Sequence, residues 1–347
     1  MKKIVGILSA AAVLAASVFA ADVSAGVRLE GSLFNFDAAT KKVTALSEKH
    51  NNEFYHAPIS FAISDDKAGG QLKLTDKADS TVLSDAWSIW IKPIDQLKVT
   101  VGRWSTNLNQ EHIGWCNTDS GIESDGYALS LGIDAFSMDL FFASGNGNAW
   151  FTKEDGVDPV LKELYLKVQY GADFGTINAM FNTINNFKDF RFGAGYNAKG
   201  LPVGLWVNVI GIYAAEEFQR LRVEADVSGS IESIGYEVFL AGGYNFTTNV
   251  AAMNAFTGVE AWHKGGSGEL KEPAAFLGLM ARVNIPLDAI RAYVQIEAGD
   301  LLAKNFSMLI KPGMITNIGA CEFETALEFT AQEKIVINVP VIFKVSF

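Results

Sequence analysis

The last fourteen residues read Lys334-Ile335-Val336-Ile337-Asn338-Val339-Pro340-Val341-Ile342-Phe343-Lys344-Val345-Ser346-Phe347, and their pattern is the strongest indication of the fold. Every odd-numbered residue in it is apolar. Side chains of a β-strand point alternately to the two faces of a sheet, so one face is a continuous apolar stripe and the other is largely polar. Pro340 cannot donate a ladder hydrogen bond, so we expect a local bulge or a frayed end beside it.

The first twenty residues have the pattern of a targeting segment. Lys2 and Lys3 are followed by apolar and small residues over 4–18, and Val18-Phe19-Ala20 satisfies the small-residue cleavage rule. The apolar run is too short for a membrane-spanning helix. The sequence therefore predicts a signal peptide over 1–20 and one structural domain over 21–347.

Composition narrows the class of protein. The net charge of the chain is −11, and loss of the two amino-terminal lysines lowers it to −13. An acidic chain is a poor nucleic-acid binder, so nucleic acid is excluded as a partner. Hydrophobic residues make up 49% of the chain, yet no run after the amino terminus is long enough for a transmembrane helix. High apolar content in short segments suits a barrel whose outer face meets lipid.

Segments of alternating polar and apolar residues recur along the chain, with turn residues between them. The clearest covers 220–227, where charged residues occupy the even positions and apolar residues the odd ones. The pattern gives about 19 segments, and a closed barrel with both chain ends on one side needs an even number. We therefore expect about 18 strands, within a range of roughly 16–20, with one strand miscounted between 229 and 270.

The connections between these segments alternate in length. Long connections are predicted at 37–52, 105–124 and 144–161, and short turns at 93–96 and 134–135. Outer-membrane barrels have short periplasmic turns and long external loops, so this alternation places both termini in the periplasm. Trp and Tyr prefer the membrane interface. Near strand ends, two aromatic girdles are predicted from Trp87, Trp104, Tyr170, Tyr196 and Tyr213.

Membrane physics favours a barrel over a soluble sandwich. Every backbone N–H and C=O must be paired within lipid, so only helices and closed barrels span it. Closure also covers the apolar edge that the last strand would otherwise expose. A soluble β-sandwich shows the same alternation, but the signal peptide and the loop lengths add to it. The expected fold is an all-β transmembrane antiparallel barrel in the bacterial outer membrane, with membrane lipid as its surroundings.

One hairpin carries a family resemblance. It reads Trp87-Ser88-Ile89-Trp90-Ile91-Lys92-Pro93-Ile94-Asp95-Gln96-Leu97-Lys98-Val99-Thr100-Val101-Gly102-Arg103. This strand–turn–strand resembles one found in spirochaetal porin-like outer-membrane β-barrels. The last strand, ending on Phe347, similarly looks like the signal that the barrel-assembly machinery reads. The resemblance implies a diffusion pore or a surface protein, alone or as a homo-oligomer, and it supplies no catalytic residues.

If the apolar faces meet lipid, the charged residues opposite them line the lumen. The pore-lining candidates are Arg28, Glu30, Lys98, Arg191, Arg220, Arg222, Glu224, Asp226, Arg291, Glu297, Glu322, Glu324 and Glu328. Acidic and basic side chains nearly balance along this wall, so the negative excess belongs to loops and rims. Charged rings set pore selectivity, and an acidic mouth predicts a weak preference for cations. The alternative is that these residues form ion pairs filling a narrow interior.

Two loops could narrow the pore. The loop 105–124, with the charges of Glu111 and Asp119, is either a constriction loop folded into the lumen or an exposed external loop. The loop 144–161 is rich in oxygen ligands but lacks regular calcium spacing. No metal or cofactor is expected.

The sequence does not favour an enzyme. It has four histidines, of which His56 is the one candidate base, and no Gly-x-Ser-x-Gly motif. The expected function is passive diffusion of small hydrophilic solutes through a porin-like channel. The alternative is a surface adhesin or structural barrel with a blocked lumen. A transporter of hydrophobic substrates would need an apolar lumen, which the charged inner faces oppose.

Overall fold

The computed structural model describes residues 26–48, 59–76, 82–108, 122–144, 161–184, 187–248, 272–299, 301–302, 308–331 and 335–346. These residues form strands joined by turns, and they belong to one antiparallel sheet. Among them, no helix is long and apolar enough to cross a membrane. The predicted signal peptide over 1–20 and the final residue Phe347 lie outside the described residues.

Twenty strand segments are present within the described residues. The first ten are β1 (Gly26–Asp37), β2 (Lys42–Glu48), β3 (Ile59–Ser64), β4 (Ala68–Asp76), β5 (Val82–Ile94), β6 (Leu97–Thr106), β7 (Ile122–Ile133), β8 (Phe136–Ser144), β9 (Leu161–Ala172) and β10 (Gly175–Ile184). The others are β11 (Asp189–Ala198), β12 (Gly204–Ala214), β13 (Glu217–Ile231), β14 (Ile234–Asn245), β15 (Ala274–Leu287), β16 (Ile290–Ala298), β17 (Met308–Ile318), β18 (Cys321–Ala326), β19 (Glu328–Ala331) and β20 (Ile335–Ser346).

The strand order closes the sheet into a barrel. From β3 to β17 each strand pairs with the next one in the chain. Both β18 and β19 lie between β17 and β20, so they are two parts of one strand interrupted at Leu327. The last strand, β20, pairs antiparallel with β1. β1 in turn pairs with β2 and lies beside β3, so the two ends of the sheet meet.

The parity of the pairings gives the number of strand positions. β2 pairs antiparallel with β1, and β3 also lies beside β1. Each antiparallel pairing reverses the strand direction. Because all pairings from β3 through β20 to β1 are antiparallel, β3 also runs opposite to β1. β2 and β3 therefore share one position. When β18 and β19 are counted as one, the twenty described segments make nineteen strands. Because β2 and β3 share a position, these described strands occupy eighteen positions around the barrel, which confirms the expected range.

The connections differ between the two ends of the barrel. At one end, called the turn end, short turns at 65–67, 95–96, 134–135, 173–174, 199–203, 232–233, 288–289 and 319–320 lie beside residues 26 and 346. The opposite end, called the loop end, carries the longer connections 107–121, 145–160, 246–273 and 299–307. The predicted long connections 105–124 and 144–161 and the short turns 93–96 and 134–135 are present, but the alternation is not regular, because the loop end also carries short turns at 38–41 and 215–216.

Two details of the predicted connections need comment. The prediction of a long loop over 37–52 is wrong, because a tight turn at 38–41 leads directly into β2. Asp37 Oδ1 accepts hydrogen bonds from the N–H groups of Ala39 and Thr40, at 2.8 and 3.2 Å, and this Asx-type turn reverses the chain. The predicted strand near 255–262 lies outside the described residues.

Pro340 lies where the ladder is irregular on both sides, as its missing N–H predicts. The register between β1 and β20 shifts between Ser32 and Phe34, opposite Pro340. On the other side, the break at Leu327 separates β18 from β19. Thr325 donates its hydroxyl hydrogen bond to the Pro340 carbonyl at 3.0 Å. The expected local bulge is confirmed.

The two faces of the sheet differ in polarity. On β13, Leu221 and Val223 are 39% and 43% exposed, whereas Arg220, Arg222 and Glu224 are fully buried. Apolar side chains therefore face outward and charged side chains inward, which is the arrangement of a barrel placed in lipid. The inner face of this barrel is where a functional site is to be sought.

Candidate channel interior

The predicted pore-lining residues fall into three groups by exposure. Five side chains are almost completely buried: Arg191, Arg220, Arg222, Glu224 and Asp226. The remaining side chains that the structure describes are half-buried or exposed: Lys98, Arg291, Glu297, Glu322, Glu324 and Glu328. Arg28 and Glu30 lie in β1, opposite Lys344 and Ile342, and their side chains are outside the described residues.

A buried ion pair occupies the middle of β13. Arg222 Nη2 lies 2.6 Å from Glu224 Oε1, and both side chains are fully buried. Asn208 of β12 donates a hydrogen bond from Nδ2 to Glu224 Oε2 at 3.0 Å. Removing two charges from water costs several kcal/mol per ion unless they are paired, so the amide and the guanidinium together hold the carboxylate inside the barrel.

Two further arginines are held by asparagines nearer the loop end. Arg220 donates from Nε to Asn245 Oδ1 at 2.7 Å, and its guanidinium lies 5.2 Å from the ring of Phe276. Arg191 donates from Nε to Asn182 Oδ1 at 2.9 Å. The prediction considered charged residues only and therefore missed these amides, although each occupies an inward position of the same alternation.

A second polar group lies across β15, β16 and β18. The guanidinium of Arg282 lies 4.1 Å from the ring of Tyr293 and donates to Gln295 Oε1 at 3.3 Å. The Tyr293 hydroxyl donates to Glu324 Oε1 at 2.7 Å. The sequence pattern gave no signal for this tyrosine, because a Tyr at an inward position looks the same as one at the interface.

Ion pairs continue towards the last strand. Lys344 Nζ lies 2.9 Å from Glu322 and 3.8 Å from Glu324. Lys311 Nζ lies 3.1 Å from Glu328, which also accepts a hydrogen bond from Asn338 at 2.8 Å. The acidic cluster predicted on this strand is therefore matched by lysines on its two neighbouring strands.

The loop between β6 and β7 begins inside the barrel. Leu108 is 1% exposed and packs in a cluster with side chains that include Phe141, Met180 and Ile210. Lys167 of β9 donates a hydrogen bond to the Asn107 carbonyl at 2.5 Å. After Thr106 the chain therefore turns inward rather than away from the barrel. Glu111 and Asp119, the predicted constriction charges, lie outside the described residues.

Trp104 does not belong to an outer aromatic girdle. Its ring stacks on Phe141 at 5.3 Å and meets Tyr165 edge-on at 6.1 Å, inside the same cluster. The girdle prediction considered only that Trp104 lies near a strand end, and not which face of the sheet its side chain occupies. Trp87 and Tyr170, at 44% and 54% exposure, do lie on the surface of the barrel.

Lysines surround one indole ring near the turn end. The ammonium groups of Lys98 and Lys92 lie 4.9 and 5.7 Å from the centre of the Trp90 ring. In the neighbouring turns, Lys67 forms an ion pair with Asp95. The hydrogen bond from Lys67 lowers the pKa of the Asp95 carboxyl.

The interior can therefore present fixed charges to a solute, but it shows no metal centre in the part of the chain that is described. The charges occur mostly as close pairs, so the field along the wall alternates in sign over short distances. Such a wall can orient polar solutes, and it can also fill a narrow barrel.

Comparison with known proteins supports the fold. No family model matches the chain, and no curated protein matches it by sequence. Among solved structures, OpdL of Pseudomonas aeruginosa has a TM-score of 0.57 and 8% identity, with 94% of this chain and 99% of that chain covered. OccK2 (OpdF) of the same organism has a TM-score of 0.57 and 10% identity, with 94% and 98% covered. OprD of that organism has a TM-score of 0.55 and 7% identity, with 94% and 95% covered.

The likeness to these outer-membrane porins confirms the expected porin-like outer-membrane β-barrel fold. It extends over nearly the whole of each chain. The spirochaetal side of the sequence resemblance has no counterpart among these neighbours. At this level of identity the likeness concerns the fold, and function has to be argued from the interior.

Proposed function

We propose that the protein is a porin-like channel of the bacterial outer membrane for passive diffusion of small hydrophilic solutes. The observation that carries the proposal is the reversal of polarity across the sheet, with apolar residues outside and charged residues inside. A structural barrel also needs the apolar exterior, so the distinguishing feature is the set of charged inner side chains that keep exposed surface, such as Arg291 and Glu297. A polar wall suits hydrophilic solutes and not hydrophobic substrates.

The proposal includes location and orientation. The protein is exported by a signal peptide over 1–20 and assembled by the barrel-assembly machinery through the last strand, which ends at Phe347. The turn end faces the periplasm, because it combines both chain ends with the short turns. The loop end faces the outside of the cell. Association of copies into a homo-oligomer is part of the same proposal.

For selectivity we propose a weak preference for cations. The net charge of the chain is −11, while the inner face pairs its acids with bases, as Arg222 does with Glu224. The excess negative charge then belongs to loops and rims, where it raises the local concentration of cations. Of the predicted residues, Glu111 and Asp119 are the proposed charges of the constriction loop, and the thirteen pore-lining candidates form the wall.

The structural neighbour OccK2 (OpdF) has been crystallised in complex with glucuronate, an anion. Anion selectivity is therefore the alternative that the selectivity measurement has to exclude. Reversal potentials in a salt gradient should show a small excess permeability for potassium over chloride. A reversal potential of the opposite sign would reject the proposed cation preference while leaving the channel in place.

The diffusion function itself is tested by swelling of liposomes that contain the refolded chain. Neutral sugars of increasing size should enter at decreasing rates, because only the pore diameter limits them. Folded protein is recognised by its heat-modifiable mobility on a gel. Folded protein that admits no sugar of any size would reject the diffusion channel.

One observation favours a second candidate function, a surface or structural barrel with a blocked lumen. Leu108 of the β6–β7 connection is buried inside the barrel, and several inner side chains have no exposed surface. In that case the external loops would be the working part, as in an adhesin. The swelling experiment separates the two functions directly.

A further inference from the structure

Two lysines share one indole ring on the inner face near the turn end. Trp90 of β5 lies opposite Thr100 of β6, which is 5% exposed and faces inward. Lys92 is two residues after Trp90 and Lys98 is two residues before Thr100, so both lysines face inward as well. Their ammonium groups lie 5.7 and 4.9 Å from the centre of the ring. The two residues, here called the lysine pair, are half-buried and therefore reachable from the lumen.

The ring beneath the lysine pair is held by its neighbours. Gly69 of β4 is opposite Trp90, and a Cβ on this glycine would lie 2.6 Å from three atoms of the indole. The ring therefore lies over the β4 backbone. The N–H of Lys92 donates to the Lys67 carbonyl at 2.6 Å, which ties β5 to the turn before β4. The indole is thus a fixed platform for both ammonium groups.

The nearby acids have other partners. Asp95, in the turn after β5, forms an ion pair with Lys67. The hydrogen bond from Lys67 is the main cause of the lowered pKa of Asp95, to which the charge of Lys92 adds less. Asp139 lies two strands away from β6 and is opposite Lys167 in the register. Within the described ranges, neither member of the lysine pair forms an ion pair with a carboxylate. Two like charges beside one ring repel each other, and a bound anion would relieve that repulsion.

Open space adjoins the lysine pair. Ser130 of β7 lies opposite Lys98, and Gly132 is two residues nearer the turn end on the same face. A Cβ on Gly132 would have no described atom within 4 Å. A Cβ on Gly171 of β9 would meet only a backbone oxygen, at 3.7 Å. The inner face beside Lys98 therefore has room for a solute at this end of the barrel.

We propose that Lys92 and Lys98 form a binding site for a phosphate monoester of a small hydrophilic solute. This inference rests on the proposed channel function, which gives the solute access to the lumen. A phosphate monoester carries a charge of about −1.5 to −2 at pH 7 and has three acceptor oxygens, so each ammonium group can donate to a different oxygen. A carboxylate or a chloride ion brings only a single charge to two cations. The proposed preference for cations is assigned to the loops and rims, and not to this part of the wall.

Binding can be measured without any transport assay. The folded protein in dodecyl maltoside, a detergent without phosphorus, is mixed with methyl phosphate, and the width of the phosphorus NMR line reports binding. The matched probes are dimethyl phosphate, which carries a single charge, and trimethyl phosphate, which is neutral. We expect saturable broadening with methyl phosphate, weaker broadening with dimethyl phosphate and none with trimethyl phosphate.

Substitutions of single lysines make the test specific. Lys98→Gln and Lys92→Gln each remove one charge, and the affinity for methyl phosphate should fall about tenfold in each, so either variant serves if the other does not fold. Lys98→Arg keeps the charge and the donors, and its affinity should stay within about threefold of the wild type. Lys199→Gln removes the charge of an exposed lysine in another turn at the same end, and it should leave the affinity unchanged.

The outcomes separate the site from the channel. Equal affinities of the wild type, Lys92→Gln and Lys98→Gln would overturn the site, as would an equal loss in Lys199→Gln or equal broadening with trimethyl phosphate. A conducting protein that does not broaden the methyl phosphate line overturns the site alone. A folded protein that binds methyl phosphate through the lysine pair and does not conduct supports the site and rejects the channel.

Discussion

Leu108 and Gly193 approach each other inside the barrel so closely that a Cβ on Gly193 would lie 2.9 Å from Leu108 Cδ1. Leu108 follows β6, whereas Gly193 belongs to β11, so the contact crosses the interior rather than following neighbouring strands. A glycine at this position leaves room for the leucine. The contact anchors the first described residues of the β6–β7 connection within the lumen.

Replacing Leu108 with Ser should release this anchor. The serine hydroxyl would be buried among apolar side chains, which is unfavourable. Replacing a buried leucine with a small residue typically lowers the free energy of unfolding by about 2–5 kcal/mol. We expect a larger single-channel conductance, because the connection no longer occupies the interior. Leu108→Met is the matched control, since it conserves volume and should keep the wild-type conductance. Identical conductance of Leu108→Ser and the wild type would show that the connection does not narrow the pore.

The hydrogen bond from Lys167 to the Asn107 carbonyl should also restrain this connection. A hydrogen bond to a charged group contributes about 1.5–3 kcal/mol, so Lys167→Met should increase opening of the loop. Cys116 provides a probe in a Cys321→Ser background, and its rate of alkylation by a maleimide should rise severalfold. Lys188→Met alters an exposed lysine beside a turn and should leave that rate unchanged. An unchanged rate in Lys167→Met would argue against this restraint.

The buried pair of Arg222 and Glu224 should be a major determinant of stability. Arg222→Met takes the guanidinium away from a buried carboxylate, which typically costs about 3–5 kcal/mol. We expect a lower urea midpoint for unfolding in detergent. The double variant Arg222→Met/Glu224→Gln removes both charges and should recover part of the loss.

Arg291→Met is the control for that pair, because Arg291 is exposed. Its effect on the unfolding free energy should stay within about 0.5 kcal/mol. If Arg222→Met and Arg291→Met have the same midpoint, the pair does not stabilise the barrel.

The irregular ladder around Pro340 should tolerate replacement of the proline. Pro340→Ala is expected to change the unfolding free energy by less than about 1 kcal/mol, since chiefly the freedom of the unfolded chain changes. Ile342→Pro removes an N–H from a residue that pairs with Glu30 on one side and Glu324 on the other. It should lower the folded fraction after refolding into vesicles much more. Equal folded fractions of Ile342→Pro and the wild type would mean that the regular ladder at Ile342 tolerates a missing N–H as well as the irregular ladder at Pro340.

The sequence predicted those features that depend on alternation and on chain reversal. The faces of β13 follow directly from residues 220–227, and Pro340 indicated the irregularity in the last strand. β2 was missed because Asp37 starts a tight turn that looks like part of a longer loop. The position of Trp104 near a strand end did not indicate its face, and its side chain lies inside the barrel.

The partners of the charged residues could not be predicted in the same way. The link between Arg220 and Asn245 depends on the register between β13 and β14, and that register is a property of the folded sheet. A bulge between Ile212 and Tyr213 shifts the pairing on the other side of β13. Leu108 has no neighbour in sequence that points to Gly193, so this contact requires the three-dimensional structure.

Single-channel recording shows whether the barrel is an open channel. The refolded chain, without residues 1–20, is added to a planar lipid bilayer in potassium chloride. The account predicts discrete conductance steps of uniform size with a linear dependence on voltage, because the wall is a fixed polar surface. Heat-modifiable, β-rich protein that inserts into the bilayer and gives no conductance steps would contradict the channel and favour a barrel with a closed lumen.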